Sequence, residues 1–241
     1  MSIALVFIGT DGILLATDSR MTVGTDINVD YWDDNSQKLW KLTDNLGLTS
    51  VGSQQGYRQH LIEICQRRLK ESGVDNLSEK AISLLTDIVR VDYMHQLETL
   101  GILAKEFLRN KFGVIVGGYD DDDKPTILSI RAFTAASDIP FATDIRRLFW
   151  IDSASGIAEH LLIETKMIEE LRHGLSLNVL KRLAALFIEE TKISNNCIGG
   201  KIQMATVTKD GGFQFVGEGD VKSVTEDANI FIANKVEYIT K

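Results

Sequence analysis

Two apolar runs open the chain: Ile3-Ala4-Leu5-Val6-Phe7-Ile8, and Ile13-Leu14-Leu15-Ala16 following Gly12. Between them stands Gly9-Thr10-Asp11-Gly12. Runs of this length, bounded by glycine and aspartate, read as strands, and Asp-Gly between two of them marks a hairpin. The second run ends in Asp18-Ser19-Arg20. A secretory leader needs basic residues ahead of its apolar stretch and a small-residue cleavage site after it. Here the first basic residue is Arg20. The pattern therefore predicts a chain that begins inside a buried strand, with no leader before it. First residues are usually loose unless something ties them down, so a strand starting at the second residue calls for an explanation.

Chemistry offers one. Ser2 is small, and an initiator methionine ahead of a small residue is ordinarily trimmed. Trimming leaves a free α-amine beside a hydroxyl on the same residue. With an ordinary pKa of roughly 7.7–8.0, that amine can act as a base for its own side chain at neutral pH. A hydroxyl activated by the N-terminal amine is an established kind of nucleophile. Ser2 also has a plain reading, as a small residue that merely starts a strand.

Further along, Met21 to Gln37 is polar and reads as a loop or ragged hairpin. Lys38 to Leu42 alternates as a half-buried strand, and Leu46 to Gly52 follows as its partner. The period then changes. Leu61, Ile62, Cys65 and Leu69 fall at helical spacing within 59–73, and Gly73 is a natural stop. A second helix starts near Asn76 or Ser78, either of which can cap it, and runs towards Leu108. Strands return at 112–119 and 126–130 around the acidic turn Asp120 to Lys124, and again at 148–151. Residues 133–144 read as loop. Helices follow over 157–173 and 176–193, then strands at 202–207 and 213–216, and a final strand region over 229–239. The order is strands, two helices, strands, two helices, strands, with no linker composition between. It predicts an α/β (α+β) chain: one domain over 1–241, a four-layer αββα sandwich of two mainly antiparallel sheets flanked by helix pairs.

Composition narrows the function classes. With 34 acidic against 26 basic residues the net charge is −8, which disfavours nucleic acid and anionic membrane surfaces as partners. No stretch reaches the roughly 18 apolar residues of a membrane span. Cys65 and Cys197 lack the spacing of a redox or metal motif, so a reducing, cytoplasmic compartment is expected. His60, His95, His160 and His173 show no paired ligand spacing. The Asp120 to Asp123 run reads as a solvated hairpin tip, and no metal or organic cofactor is expected.

Taken in order, these segments resemble the β-type subunits of proteasomes and their bacterial relatives, within the N-terminal nucleophile (Ntn) hydrolase superfamily. The hairpin ending Asp18-Ser19-Arg20 follows Ser2 at the family's spacing, with Asp18 16 residues after it. Lys38-Leu-Trp-Lys-Leu-Thr-Asp-Asn45 fits the family's lysine strand, although the loop before it is a few residues longer than usual. Leu46 to Ser53 is similar to the strand whose terminal glycine faces the oxyanion. Phe112 to Asp120, Ile151 to Gly156 and Thr206 to Gly211 complete the set, and the likeness covers roughly 2–220.

The resemblance implies an N-terminal serine peptidase or amidohydrolase. In it Ser2 attacks an amide carbonyl, Lys38 lowers the hydroxyl's effective pKa, and Asp18 orients Lys38. Gly52 donates its N–H to the oxyanion, and Ser153 (with Ser155 close by) bonds the amine or a water. Arg20 reads as structural. The implied partners are copies of the chain itself, in a ring or helical assembly, a peptide or unfolded-protein substrate, and an unfoldase. Two departures stand out. Asn195 and Ile198 occupy positions where the family commonly has Asp and Ser, and the nucleophile is Ser rather than Thr. A catalytically inactive scaffold subunit of the same fold, and a non-proteolytic acyl-transfer enzyme, are the alternatives.

Overall fold

The computed structural model describes residues 2–24, 29–51, 55–91, 112–132, 141–146, 149–153 and 167–240. Strands β1 (Ile3–Ile8) and β2 (Ile13–Asp18) form the expected hairpin, with Phe7 opposite Leu14 and Val6 opposite Leu15. The N–H of Gly9 donates to the Gly12 carbonyl at 2.7 Å and closes the turn. Every residue of both strands is buried, so this hairpin is covered on both faces.

The cover follows from strand alternation. Beside the hairpin lie β10 (Phe149–Ser153), β11 (Ile202–Thr208) and β12 (Gly212–Phe215), in the antiparallel order β10-β1-β2-β11-β12. Ile3, Leu5, Phe7, Leu14 and Ala16 point outward against Leu180, Ala184, Phe187 and Ile188 of helix α4 (Leu177–Ser194). Ala4, Val6, Ile13 and Leu15 point inward. There they meet the second sheet, of order β5-β6-β7-β8-β9: β5 (Leu39–Lys41), β6 (Leu46–Val51), β7 (Phe112–Tyr119), β8 (Pro125–Ala132) and β9 (Phe141–Arg146). Its Leu39, Ile115 and Ile127 face the first sheet. Its Leu46, Leu48, Val114 and Val116 face α1 (Gln55–Glu71) and α2 (79–91). Three apolar seams thus separate four layers of helix, sheet, sheet and helix, as the element order predicts. The described part of the stretch ahead of β5 is a short hairpin of its own, β3 (Met21–Gly24) with β4 (Val29–Asp33), kinked between Val23 and Gly24.

Ser78 starts α2: its hydroxyl accepts from Ala81 N–H at 3.3 Å, whereas the Asn76 side chain bonds Asp121. Only α3 (Met167–His173) of the 157–173 helix lies among the described residues, and the expected helix beyond residue 91 lies outside them. Two expectations fail. The 133–144 loop is cut short by β9, which pairs along β8 from Ala132–Phe141 to Ile127–Arg146. The region 229–239 is not a strand but the end of α5 (Glu218–Thr240). Its run Ile230-Phe231-Ile232 is β-prone, yet Val221, Val224, Ala228 and the buried Ile232 recur at helical spacing, and the first three pack on the α4 seam. Glu218 and Asp220 favour the N-terminal end of the helix dipole. Tertiary burial of that stripe overrides local strand propensity.

Candidate active site

Asp18 closes β2 beside Ile3, and Lys38 stands just ahead of β5 on the opposite sheet; both side chains are fully buried. Lys38 spans the inner seam. Its Nζ lies 2.7 Å from Asp18 Oδ1 and 2.9 Å from Ser2 Oγ. A buried carboxylate requires donors on both oxygens. Oδ1 of Asp18 also accepts from Ile3 N–H at 3.2 Å, while Oδ2 accepts from Arg20 N–H at 3.2 Å and Gly199 N–H at 3.1 Å. The nucleophile candidate, its lysine and its carboxylate therefore form one continuous hydrogen-bonded line.

Burial pushes the Lys38 ammonium down to about 8. The charge and hydrogen bond of Asp18 oppose that push, and the nearby cations Arg58 and Arg20 reinforce it. Removal from water outweighs one anion, so the amine sits where it can exchange a proton near neutral pH. Arg58, on α1, is itself buried and pushed down to about 10 by desolvation. It donates to the Gln37 carbonyl at 3.3 Å and lies 5.7 Å from the Trp40 ring centre.

Other contacts hold the backbone. Thr17 Oγ1 donates to the Ile3 carbonyl at 2.7 Å, joining the ends of the first hairpin. Gln203 of β11 uses both ends of its amide: Oε1 accepts from Lys38 N–H at 3.0 Å and Nε2 donates to the Ser36 carbonyl at 2.9 Å. Neither Gln203 nor Arg58 was expected at the site. Each carries a signal: a polar residue between Ile202 and Met204 of an apolar strand, and a cation on the helix face of Leu61 and Ile62.

Of the sequence candidates, Ser2, Asp18 and Lys38 come together. The backbone of Ser153 pairs with Ile3 across β1 and β10, one residue from Ser2. Gly52 and Ser155 lie outside the described residues, as do His95 and His160. Ile198 is core, buried in the α4 seam. The Asn195 side chain caps its own loop, its Oδ1 accepting from Cys197 N–H at 3.0 Å. The acidic tip at 120–123 is braced by its own turn, with Asp120 Oδ1 accepting from Asp122 and Lys124 N–H and Lys124 paired to Asp122. Cys65, on the inner face of α1, is buried in the core. Among the described residues no group of three or more His, Cys, Asp or Glu side chains gathers to hold a metal, and no helix is long and apolar enough to cross a membrane.

Comparison with known proteins points in one direction. The sequence profile described as "Proteasome subunit" matches residues 2–143. A protein named proteasome subunit beta 2 from Nitrosopumilus maritimus (strain SCM1) is 26% identical over 216 residues, 90% of each chain. Among solved structures, an Anbu (Gly-1) mutant from Hyphomicrobium sp. strain MC1 aligns with a TM-score of 0.67 at 18% identity, over 100% of this chain and 97% of its own. Anbu, described as the ancestral beta-subunit, from Yersinia bercovieri aligns at 0.66 and 16%, over 99% and 97%. The structure described as the helical assembly of the Anbu complex from Pseudomonas aeruginosa aligns at 0.66 and 18%, over 98% and 96%. At such identities these likenesses speak for the fold.

Proposed function

The chain belongs to the proteasome subunit family, and on that premise we propose that it is an N-terminal nucleophile amidohydrolase, most plainly a peptidase, whose nucleophile is Ser2 after removal of Met1. The observation that carries the reading is the bridge of Lys38 Nζ between Ser2 Oγ and Asp18 Oδ1, at 2.9 and 2.7 Å, with Lys38 and Asp18 fully buried.

In the proposed reaction Ser2 Oγ attacks the amide carbonyl as its proton passes to Lys38, whose pKa of about 8 suits a base at neutral pH. Asp18, held by three backbone N–H groups, stays in place and balances the ammonium that forms. Donors facing the oxyanion are worth about 3–4 kcal/mol each in comparable sites, and the resemblance gives that role to Gly52 N–H. The α-amine of Ser2, protonated at neutral pH, delivers the proton on which the amine product leaves. Water then hydrolyses the ester on Ser2 Oγ: the α-amine, now neutral, takes the water's proton, Lys38 returns its own to Oγ, and Ser153 assists that water or the α-amine. Several copies assemble around the sites, as supported by the helical assembly described for the Pseudomonas aeruginosa relative.

Intact-protein mass spectrometry tests the reading. The mass should lack Met1, and a peptide epoxyketone, which closes a ring on an adjacent hydroxyl and amine, should add once. Ser2→Ala should remove the adduct, and Lys38→Ala should slow it by about 10²–10⁴-fold. A chain lacking Met1 that forms no adduct would instead favour a scaffold subunit. That second reading draws on Asn195 and Ile198, whose side chains are committed to the loop and the core.

A further inference from the structure

Asp18 is held on one oxygen by Lys38 and on the other by the loop between α4 and β11, through Gly199 N–H. The guanidinium of Arg20 holds that loop from one side, and Lys192 Nζ, donating to the Gly200 carbonyl at 2.8 Å, from the other. Arg20 Nη1 donates to the Asn196 carbonyl at 2.9 Å, while Nε and Nη2 grip both carboxylate oxygens of Asp34 at 2.6 and 2.8 Å. The Trp32 ring lies beneath, 4.8 Å away. Asp34 is bound a second time, its carbonyl accepting from the Ser19 hydroxyl, which in turn accepts from Lys201 N–H at 2.7 Å. Gly199 returns the contact: its carbonyl accepts from Ser19 N–H at 3.2 Å and Arg20 N–H at 3.0 Å. The three segments pack so closely that a Cβ on Gly199 would run into the Arg20 guanidinium. One on Gly200, at φ +70°, would run into Ser19 Oγ and the Asp34 carbonyl.

We propose that Arg20 and Asp34 form a clasp that positions the Asp18–Lys38 pair, pressing Gly199 N–H onto the second oxygen of Asp18. This rests on the reading of Ser2 as nucleophile given above. Asp34 lies in the segment between β4 and Lys38. The pair is half open to solvent, with Asp34 40% exposed, and its direct contribution to stability is small. Its effect is one of placement. A carboxylate that loses a donor holds its charge less comfortably and keeps a partner's proton more firmly. Opening the clasp therefore makes Lys38 harder to deprotonate and Ser2 slower to react.

The groups facing Lys38 among the described residues are Asp18 from β2, Arg58 from α1, and Arg20 and Asp34 from either side of the β3–β4 hairpin. This permits a test by sign. Asp34 is an anion, so its removal acting through charge alone would lower the Lys38 midpoint. Lost positioning would raise it.

The test is an NMR titration of the Lys38 side chain in the full chain carrying isotopically labelled lysine, the signal assigned by its loss in Lys38→Met. Asp34→Asn is expected to move the midpoint upward by about half a unit or more, which at pH 7 cuts the neutral fraction about threefold. Arg20→Lys keeps the charge but loses the two-pronged grip, and should shift it the same way. Asp122→Asn, which breaks an exposed pair at the 120–123 tip, should leave it in place. A midpoint that stays or falls in folded Asp34→Asn and Arg20→Lys overturns the clasp. The titration needs no reaction at Ser2, so failure of the epoxyketone adduct and failure of the clasp are read separately.

Discussion

Lys38 has lost its water and gained one carboxylate in exchange, and the exchange leaves its ammonium at about 8 instead of 10.5. A base lowered in the folded state binds fewer protons there than in the unfolded chain between those two pH values. Stability therefore rises with pH across that window. Compared with Lys38→Met, the wild-type chain should gain stability from pH 8 to about 10.5 in chemical denaturation, and the difference should flatten below pH 8. Groups common to both proteins cancel. A difference that is flat throughout would mean that Lys38 titrates as an ordinary lysine. The rate of adduct formation at Ser2 should rise through the same midpoint near 8. Ser2, Asp18 and Lys38 were legible in the sequence because a chemical rationale for the first and a fixed order of motifs for the others converge. Arg58, Gln203 and Asp34 were not. Gln203 and Arg58 stand out as polar residues on apolar elements, but their parts, like that of Asp34, depend on which surface of another element arrives beside them, and that is set by three-dimensional packing.

Gly47 of β6 and Gly117 of β7 stand opposite each other and make a shallow hollow on the inner face of the second sheet. The ring of Phe213 from β12 fills it: a Cβ on Gly47 would lie 2.7 Å from that ring and 3.1 Å from Leu15. A Cβ on Gly117 would press on Ile13 and Val6. The sheets thus approach more closely here than side chains would allow. Gly47→Ala should destabilise the protein by about 1–3 kcal/mol, the usual cost of overpacking a core, read as a lower denaturation midpoint. Gly47→Ala with Phe213→Leu should recover part of that loss, since the two share one space. The hairpin of β1 and β2 was readable because its turn and its apolar runs agree. The last helix was misread because three β-prone residues dominate a short window, while its apolar stripe shows only from Val221 onward. β9 escaped notice for a related reason: its sequence Phe-Ala-Thr-Asp-Ile-Arg is weakly patterned, and it forms along an edge that β8 provides.

At the scale of the whole molecule, the site straddles the seam between the two sheets. Ser2 and Asp18 belong to one sheet and Lys38 to the other, so the seam that supplies the core also sets the distance between nucleophile and base. The helices on either side seal the outer faces but leave apolar side chains over. On α5 the stripe of Val221, Val224 and Ala228 is spent on the α4 seam. Ile230 and Phe231 are left 61% and 57% exposed. Adjacent large apolar residues on the outside of a helix are costly in water unless a surface covers them. In the proposed assembly that surface is a second copy of the chain. Sedimentation at micromolar concentration should then show a particle of several subunits, and Ile230→Glu with Phe231→Glu should reduce it towards a single chain. The pair is remote in sequence from every group that touches Lys38, so the doubly substituted chain should keep its circular-dichroism spectrum and its Lys38 titration. A wild-type chain that sediments as a monomer would remove assembly from the proposal. An unchanged particle in the double variant would place the contact on another face.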